Sequence, residues 1–170
     1  MVKHWTETEL QNTLKEQLTV IADTREQEQH VINYFKKKKV PVINRKLDVG
    51  DYSAQLGDMT LEKDVVIERK HSLDELCGNL GQGRDRFERE FTRAKASGIK
   101  VFLVIENGSY EDIYLQNYRS QLPAKSLMAS LMSWQVRFNI TIIFCAHENT
   151  ARLIHQILYY AAREQLLNGK

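Results

Sequence analysis

Val65-Val66-Ile67-Glu68-Arg69-Lys70, with Gly50-Asp51-Tyr52 upstream and Asp74 shortly downstream, is the stretch from which the rest of the chain can be read. Three β-branched residues in a row favour extended backbone, and a short apolar run bounded by turn residues reads as a buried strand. Side chains alternate across a strand, so Glu68 and Lys70 share one face and Arg69 takes the other. A carboxylate at the end of such a strand sits where an α/β sheet opens to solvent, the usual place for chemistry. Asp51 and Glu68 together can hold a hard divalent cation, with the Arg69 carbonyl as an additional ligand. The cation and the Lys70 ammonium can stabilise charge developing on a scissile phosphate, and the cation can help generate the attacking hydroxide. Either acid alone also reads as an ordinary strand-end charge; the combination is what a metal-dependent nuclease needs.

Outward from this stretch, strands and helices alternate. Thr6 to Gln17 reads as a short polar helix, Leu18 to Ala22 as a buried strand, and Gln27 to Lys38 as a helix with Val31, Ile32 and Phe35 at helical spacing. Pro41-Val42-Ile43 begins a second strand. Asp51–Leu56 and Met59–Glu62 flank a Gly57-Asp58 hairpin turn. Asp64 to Arg69 is the most apolar central strand. Ser72 can cap a short helix through Leu76, and Arg84 to Ser97 reads as a charged helix closed by Gly98. Lys100 to Glu106 is a buried strand, Pro123 opens a helix to about Phe138, Ile140 to Cys145 is another strand, and Thr150 to Leu167 is the last helix. Apolar strands interleaved with helices imply an α/β domain with a mixed sheet covered on both faces, antiparallel early and parallel late. The expected organisation is a helical extension over 1–17 and one domain over 18–170.

Composition excludes several classes. The chain has 170 residues, 42% of them hydrophobic and 27% charged, as expected of an ordinary globular domain. A net charge of +2 permits nucleic-acid binding without arguing for it, so any basic surface must come from local clustering. Cys77 and Cys145 are far apart and form no CxxC pair, which argues against a disulfide framework or zinc knuckle and for a reducing compartment. The N-terminus carries no signal-peptide h-region, and no apolar run reaches spanning length. The expectation is a cytoplasmic protein with no membrane partner.

Four further clusters carry two readings each. Asp23-Thr24-Arg25-Glu26 follows the first strand; it can extend a metal site, or Asp23 or Thr24 can cap the next helix with Glu26 in its first turn. Gly78 to Gly83 forms a glycine-rich stretch before a helix bearing Arg84, Arg86, Arg89 and Arg93. Loop amides and these arginines can contact phosphates without reading bases, or the helix can be salt-bridged through Glu88 and Glu90. No Gly-Lys-Ser/Thr follows, so no nucleotide cofactor is expected. Lys36 to Lys39 can touch nucleic acid or serve as a solvated helix end. Of the histidines, none pair at metal-ligand spacing; His71 can border the site beside Lys70.

Asp23-Thr24-Arg25-Glu26, Gly50-Asp51-Tyr52, Glu68-Arg69-Lys70, Asp74 and Gly83-Arg84, in this order, resemble the nuclease domain of the XPF/Mus81/Hef family (the ERCC4-type domain). The resemblance covers roughly Val20 to Glu106. It implies a restriction-endonuclease-like core, with a mixed central sheet flanked by helices on both faces. It implies magnesium or manganese, and structure-selective cutting of branched or flapped DNA in repair or recombination. Asp51 and Glu68 carry over as metal ligands, with Asp23 and Glu26 near the metal and Asp23 a third candidate ligand. Lys70 carries over as the residue that orients water and stabilises the phosphorane. Arg25, Arg69 and Asp74 carry over as motif residues, Arg69 in phosphate contact or bracing and Asp74 in an ion pair. The family's nuclease domains pair, and Ser126–Phe138 and Ala151–Leu167 carry more apolar residues than one buried stripe requires, so a homodimer is expected. Met128, Met132, Trp134, Leu153 and Tyr160 are the expected surplus; the alternative is that they finish a monomeric core. No helix-hairpin-helix glycine motifs follow the matched region, which points to a compact bacterial or phage enzyme. The alternatives are a non-catalytic DNA-binding or scaffolding subunit, against which the retained acids and lysine argue, and a nuclease acting on linear duplex.

Overall fold

The computed structural model describes residues 4–26 and 28–169. It divides into two compact units, Met1–Val66 with Ala151–Lys170, and Ile67–Thr150.

In the first unit, α1 (Glu7–Gln17) starts at a capping box: the Thr6 hydroxyl accepts the Glu9 N–H, and the Glu9 carboxylate accepts the Thr6 N–H. Residues 1–3 of the expected extension lie outside the described residues. α1 buries Leu10 and Leu14 and leads into β1 (Leu18–Ala22). α2 (Gln29–Lys38) buries Val31 and Phe35 and ends at Lys39 with φ 57°. β2 (Val42–Asn44) then pairs parallel with β1, Val20 opposite Val42. β3 (Tyr52–Leu56) pairs antiparallel on β1's other side, Val20 opposite Ala54. β4 (Met59–Thr60) folds back on β3 through a turn in which Gly57 adopts φ 57°, as the Gly57-Asp58 pair predicts.

Two expectations in this unit are corrected. α2 begins at Gln29 behind Glu28, and neither Asp23 nor Thr24 caps it. The expected first helical residue, Gln27, lies outside the described residues. The early sheet is also not purely antiparallel, because α2 acts as a crossover that returns β2 parallel to β1.

β5 (Val65–Lys70) begins in the first unit and ends in the second. α3 (Leu73–Gly81) is capped by the Ser72 hydroxyl and runs past the expected end at Leu76. Gly78 and Gly81 are therefore helical rather than part of a phosphate-cradling loop. The stripe of buried Leu73, Leu76, Cys77 and Leu80 outweighs the low helix propensity of glycine. α4 (Arg84–Ala96) ends at Ser97, with Gly98 at φ 72° as expected of a C′ glycine. β6 (Lys100–Glu106) lies beside β5, and β7 (Thr141–Cys145) pairs parallel with β6, Val104 opposite Ile143.

Between those strands stand α5 (Tyr110–Tyr114), a short helix the sequence reading passed over, and α6 (Ala124–Phe138). Phe87 and Phe91 of α4 pack against Trp134 of α6 with ring centroids 5.2 and 5.5 Å away. Trp134 is fully buried there and belongs to this core, not to surplus apolar surface. α7 (His147–Leu167) starts earlier than expected. From Ala151 onward it belongs to the first unit, where it buries Ile154, Leu158 and Ala162 and sets His155 edge-on to Phe35. The Trp5 indole N–H donates to the Leu166 carbonyl at 3.0 Å, tying the start of the first unit to its end. The parallel and antiparallel pairings make a mixed sheet flanked by helices, the α/β class expected.

Candidate active site

The end of β5 carries the densest chemistry of the second unit. Glu68 and Lys70 are both more than nine-tenths buried, and the Lys70 ammonium donates to Glu68 Oε1 at 2.6 Å. Burial pushes the Glu68 carboxyl above the ordinary carboxylate range. The Lys70 charge and hydrogen bond pull it down, and Glu90 and Glu75 push it up again. Lys70 also lies 4.9 Å from the centre of the Phe87 ring and 3.6 Å from Glu75 Oε1. On the opposite face of β5, Arg69 pairs with Glu106 of β6 at 3.0 Å, and the other Glu106 oxygen meets His147 Nδ1 at 2.8 Å. Strand alternation thus separates the three charges as the sequence predicts. Arg69 is a brace within the sheet.

Asp74 is not beside Lys70. Its carboxylate accepts the N–H groups of Arg119 and Ser120, both at 2.9 Å, and pairs with the Arg119 guanidinium at 3.2 Å, which fastens the loop before α6. The ion pair expected of Asp74 therefore exists, but it is structural. Glu75, its neighbour, is the residue the sequence reading missed. The signal was present: Ser72-Leu73-Asp74-Glu75 has capping-box spacing, and the Ser72 hydroxyl does accept the Glu75 N–H. The Glu75 carboxylate instead accepts the His71 N–H at 2.8 Å and meets the His71 ring, so His71 does border this cluster.

The first unit holds the other motif residues. Gly50 adopts φ 79°, a left-handed conformation that glycine takes without strain, and so turns the chain into Asp51 and β3. The Asp51 carbonyl accepts the Asp23 N–H at 2.7 Å, extending the β1–β3 ladder by one rung. Asp23 is 1% exposed. One carboxylate oxygen accepts the Arg25 N–H and Nε at 2.9 and 2.7 Å; the other accepts the Leu47 N–H at 2.7 Å. Those bonds are why Asp23 does not cap α2. Burial pushes its carboxyl up, but the hydrogen bonds from Arg25 and Leu47 and the Arg25 charge hold it below the ordinary range. Arg25 is largely exposed beyond that contact. Glu26 is half-buried, accepts the Glu28 N–H at 2.9 Å, and lines a surface pocket with Thr24, Gln29 and Lys36.

Of the helix arginines, Arg86, Arg89 and Arg93 are exposed. Arg84 is tied down, its Nε to Glu88 at 3.0 Å and its terminal nitrogen to Ser130 at 3.1 Å. Glu88 also accepts the Trp134 indole N–H at 2.9 Å and pairs with Arg137. The salt-bridged reading of this helix holds through Glu88, and Arg86, Arg89 and Arg93 are left exposed on it. Lys36 to Lys39 are exposed at the end of α2.

The donor set fits magnesium or manganese, which take hard carboxylate oxygens. Glu68 fits best. A carboxyl pushed up by burial gains from positive charge beyond what one ammonium supplies.

Residues 22–157 match the ERCC4 domain family. Two curated relatives, the structure-specific endonuclease subunit MUS81 of Rattus norvegicus and of Mus musculus, are 27% and 28% identical over 117 residues. Those matches cover 62% of this chain and 19% of each relative, so the chain spans about a fifth of their length. Among solved structures, XPF from Aeropyrum pernix superposes with a TM-score of 0.66 at 23% identity, and its complex with DNA with 0.64 at 21%. Both cover 86% of this chain and 66% of that one. The likeness to XPF establishes the restriction-endonuclease-like fold. With the match running through nearly all of the elements described above, the chain belongs to the ERCC4 domain family.

Proposed function

We propose that this chain is a divalent-metal-dependent DNA endonuclease, acting on branched or flapped DNA in repair or recombination. The observation that carries the reading is the Glu68–Lys70 pair: a buried carboxyl held above its ordinary range beside a buried ammonium, in a member of the ERCC4 family. Glu68 is taken as a ligand of the cation, and Asp51, whose backbone Asp23 braces, as the second metal acid of the motif. Bound magnesium or manganese supplies Lewis-acid polarisation of the phosphate and a water of lowered pKa. Lys70 orients that water and places positive charge against the pentacoordinate phosphate. Arg86, Arg89 and Arg93 hold the DNA backbone without reading bases. The likeness to XPF in complex with DNA supports DNA as the substrate, and the likeness to the MUS81 endonuclease subunits supports cutting.

We also propose that two copies pair. Tyr114, Leu115, Met132 and Val136 are exposed on α5 and α6, and a groove of about 430 Å³ there is lined by Tyr114, Met128, Ala129 and Met132. A symmetric partner would cover this face. Sedimentation at micromolar concentration should give twice the 19.8 kDa chain mass. Val136→Glu should return the monomer; a parent that sediments as a monomer with and without DNA rejects pairing.

The substrate class is tested by cleavage of end-labelled duplex, flap, fork and four-way junction DNA in magnesium. Faster cutting of the branched substrates is expected. Equal rates on plain duplex would reject structure selectivity, and binding without cutting would make the chain a non-catalytic subunit.

A further inference from the structure

We propose that the face shared by α2 and the C-terminal part of α7 binds single-stranded DNA, stacking unpaired bases on tyrosines and holding their phosphates with lysines. It takes the single-stranded arm of a flapped substrate, and so rests on the reading of DNA as the substrate given above.

All of this face belongs to the first unit. Along α2, Tyr34 and Lys38 stand four residues apart, and Lys38 Nζ lies 5.9 Å from the centre of the Tyr34 ring. Lys36, Lys37 and Lys39 are exposed at the same helix end. Along α7, Arg152, His155 and Tyr159 follow at helical spacing, and Arg152 is exposed. Rings join the two helices: Tyr34 to His155 at 6.3 Å between centroids, His155 to Tyr159 at 6.4 Å, and Tyr159 to Tyr160 at 5.4 Å, each pair edge-on. Burial, and then the Lys38 charge, hold His155 below its ordinary pKa, which leaves a neutral ring at pH 7.

Packing explains the inner members of this row, since His155 sits edge-on to buried Phe35. It does not explain Tyr160, which is 59% exposed. Tyr34 and Tyr159 are half-buried, so they are held in place. Rings set among cations are the means by which proteins hold single strands: the cations follow the phosphates, and each unpaired base lays its π-face on a ring. A duplex keeps its base faces stacked inside, so this face selects unpaired DNA. A second copy of the chain would set the same cations against one another. Acids of this unit are already engaged, Glu7 and Glu164 by Arg163 and Glu28 by His30.

The test is binding of fluorescein-labelled oligothymidine, and of a duplex of the same length, followed by fluorescence anisotropy of the full chain in EDTA. The parent should bind the single strand. Tyr160→Ala should weaken that binding about tenfold, the scale of one base–ring stack, while Tyr160→Phe keeps the ring and should bind as the parent does. Both should bind duplex as the parent does. Lys37→Gln combined with Lys38→Gln should lower the single-strand salt slope by about 0.7 for each phosphate released. A parent that does not bind oligothymidine, or a Tyr160→Ala variant that binds it as tightly as the parent, overturns the proposal. So does an equal loss on single strand and duplex, because stacking acts only on unpaired bases. A chain that cuts no DNA in magnesium yet binds oligothymidine through Tyr160 ends the nuclease reading and keeps this face. A chain that cuts flapped DNA while Tyr160→Ala binds the single strand unchanged does the reverse.

Discussion

Arg69 and Lys70 are consecutive residues, both buried and both paired to a buried carboxylate, yet they sit in two different kinds of ion pair. On one face of β5, Arg69 joins Glu106, which His147 also contacts, in a network that knits β5 to β6 and the start of α7. On the other face, Lys70 lies between Glu68 and Glu75, and burial drives the Glu68 carboxyl up despite the ammonium beside it. In the first pair both oxygens of the buried acid meet a cationic or imidazole nitrogen. The second is an acid short of positive charge, which is what a cation site looks like before the cation is considered. On the proposed reading, two adjacent residues of one motif divide the work, one holding the sheet and one serving the chemistry.

Substituting the two cations in the same way should separate these roles. Lys70→Met should lower cleavage by about 10³-fold, the scale for losing one preorganised group that stabilises the transition state, while leaving the protein folded by circular dichroism. Arg69→Met should do the reverse in kind, because it leaves Glu106 buried without its guanidinium. Urea denaturation should show a loss of about 3 kcal/mol. If both variants unfold to the same degree, or both fold and lose activity alike, the division of labour is wrong.

A smaller effect sharpens the comparison from the first unit. Asp23→Asn should cost about 1–2 kcal/mol at neutral pH, because the carboxylate accepts three N–H donors. The Asp23 carboxyl is held below its ordinary 3.8, so its ionisation stabilises the fold above that pH, and the benefit is lost as pH falls through the lower native value. Denaturation of parent and variant should therefore converge in acid; a difference that does not shrink as pH falls would mean the charge is not what matters.

The smallest expected change is in DNA affinity. Alanine at Arg86, Arg89 and Arg93 should reduce the salt slope of binding by about 0.9 for each phosphate that is no longer neutralised. Arg84→Ala removes a residue already bound to Glu88 and Ser130, and should leave the slope nearly unchanged. Equal slopes in all four variants would remove α4 from the DNA interface.

What the sequence disclosed follows from how local each cause is. The strands around Glu68 were legible because β-branched runs and period-two alternation are properties of a few consecutive residues. Gly57 was legible as a turn residue for the same reason. Trp134 was left open between core and interface because an apolar residue on a helix does not reveal what faces it; only the fold brings Phe87 and Phe91 against the indole and Glu88 to its N–H. Gly78 and Gly81 were misread because glycine marks loops on average, while here the buried leucine stripe decides. Glu75 escaped notice because its meaning depends on where α3 begins. Counted along the chain Asp74 is the motif acid; once Ser72 caps the helix, it is Glu75 that returns to Lys70.

The proposal that Asp51 and Glu68 each serve metal-dependent cutting has one most direct measurement. Cleavage of a flapped DNA should be followed for the parent, Asp51→Asn and Glu68→Gln, first in EDTA and then on adding magnesium or manganese, with binding to the same DNA measured alongside. The parent should cut only with the metal present. Both variants should bind DNA as the parent does and cut at least about 100-fold more slowly. Cleavage by the parent that survives EDTA, or undiminished cutting by either variant, would contradict the assignment.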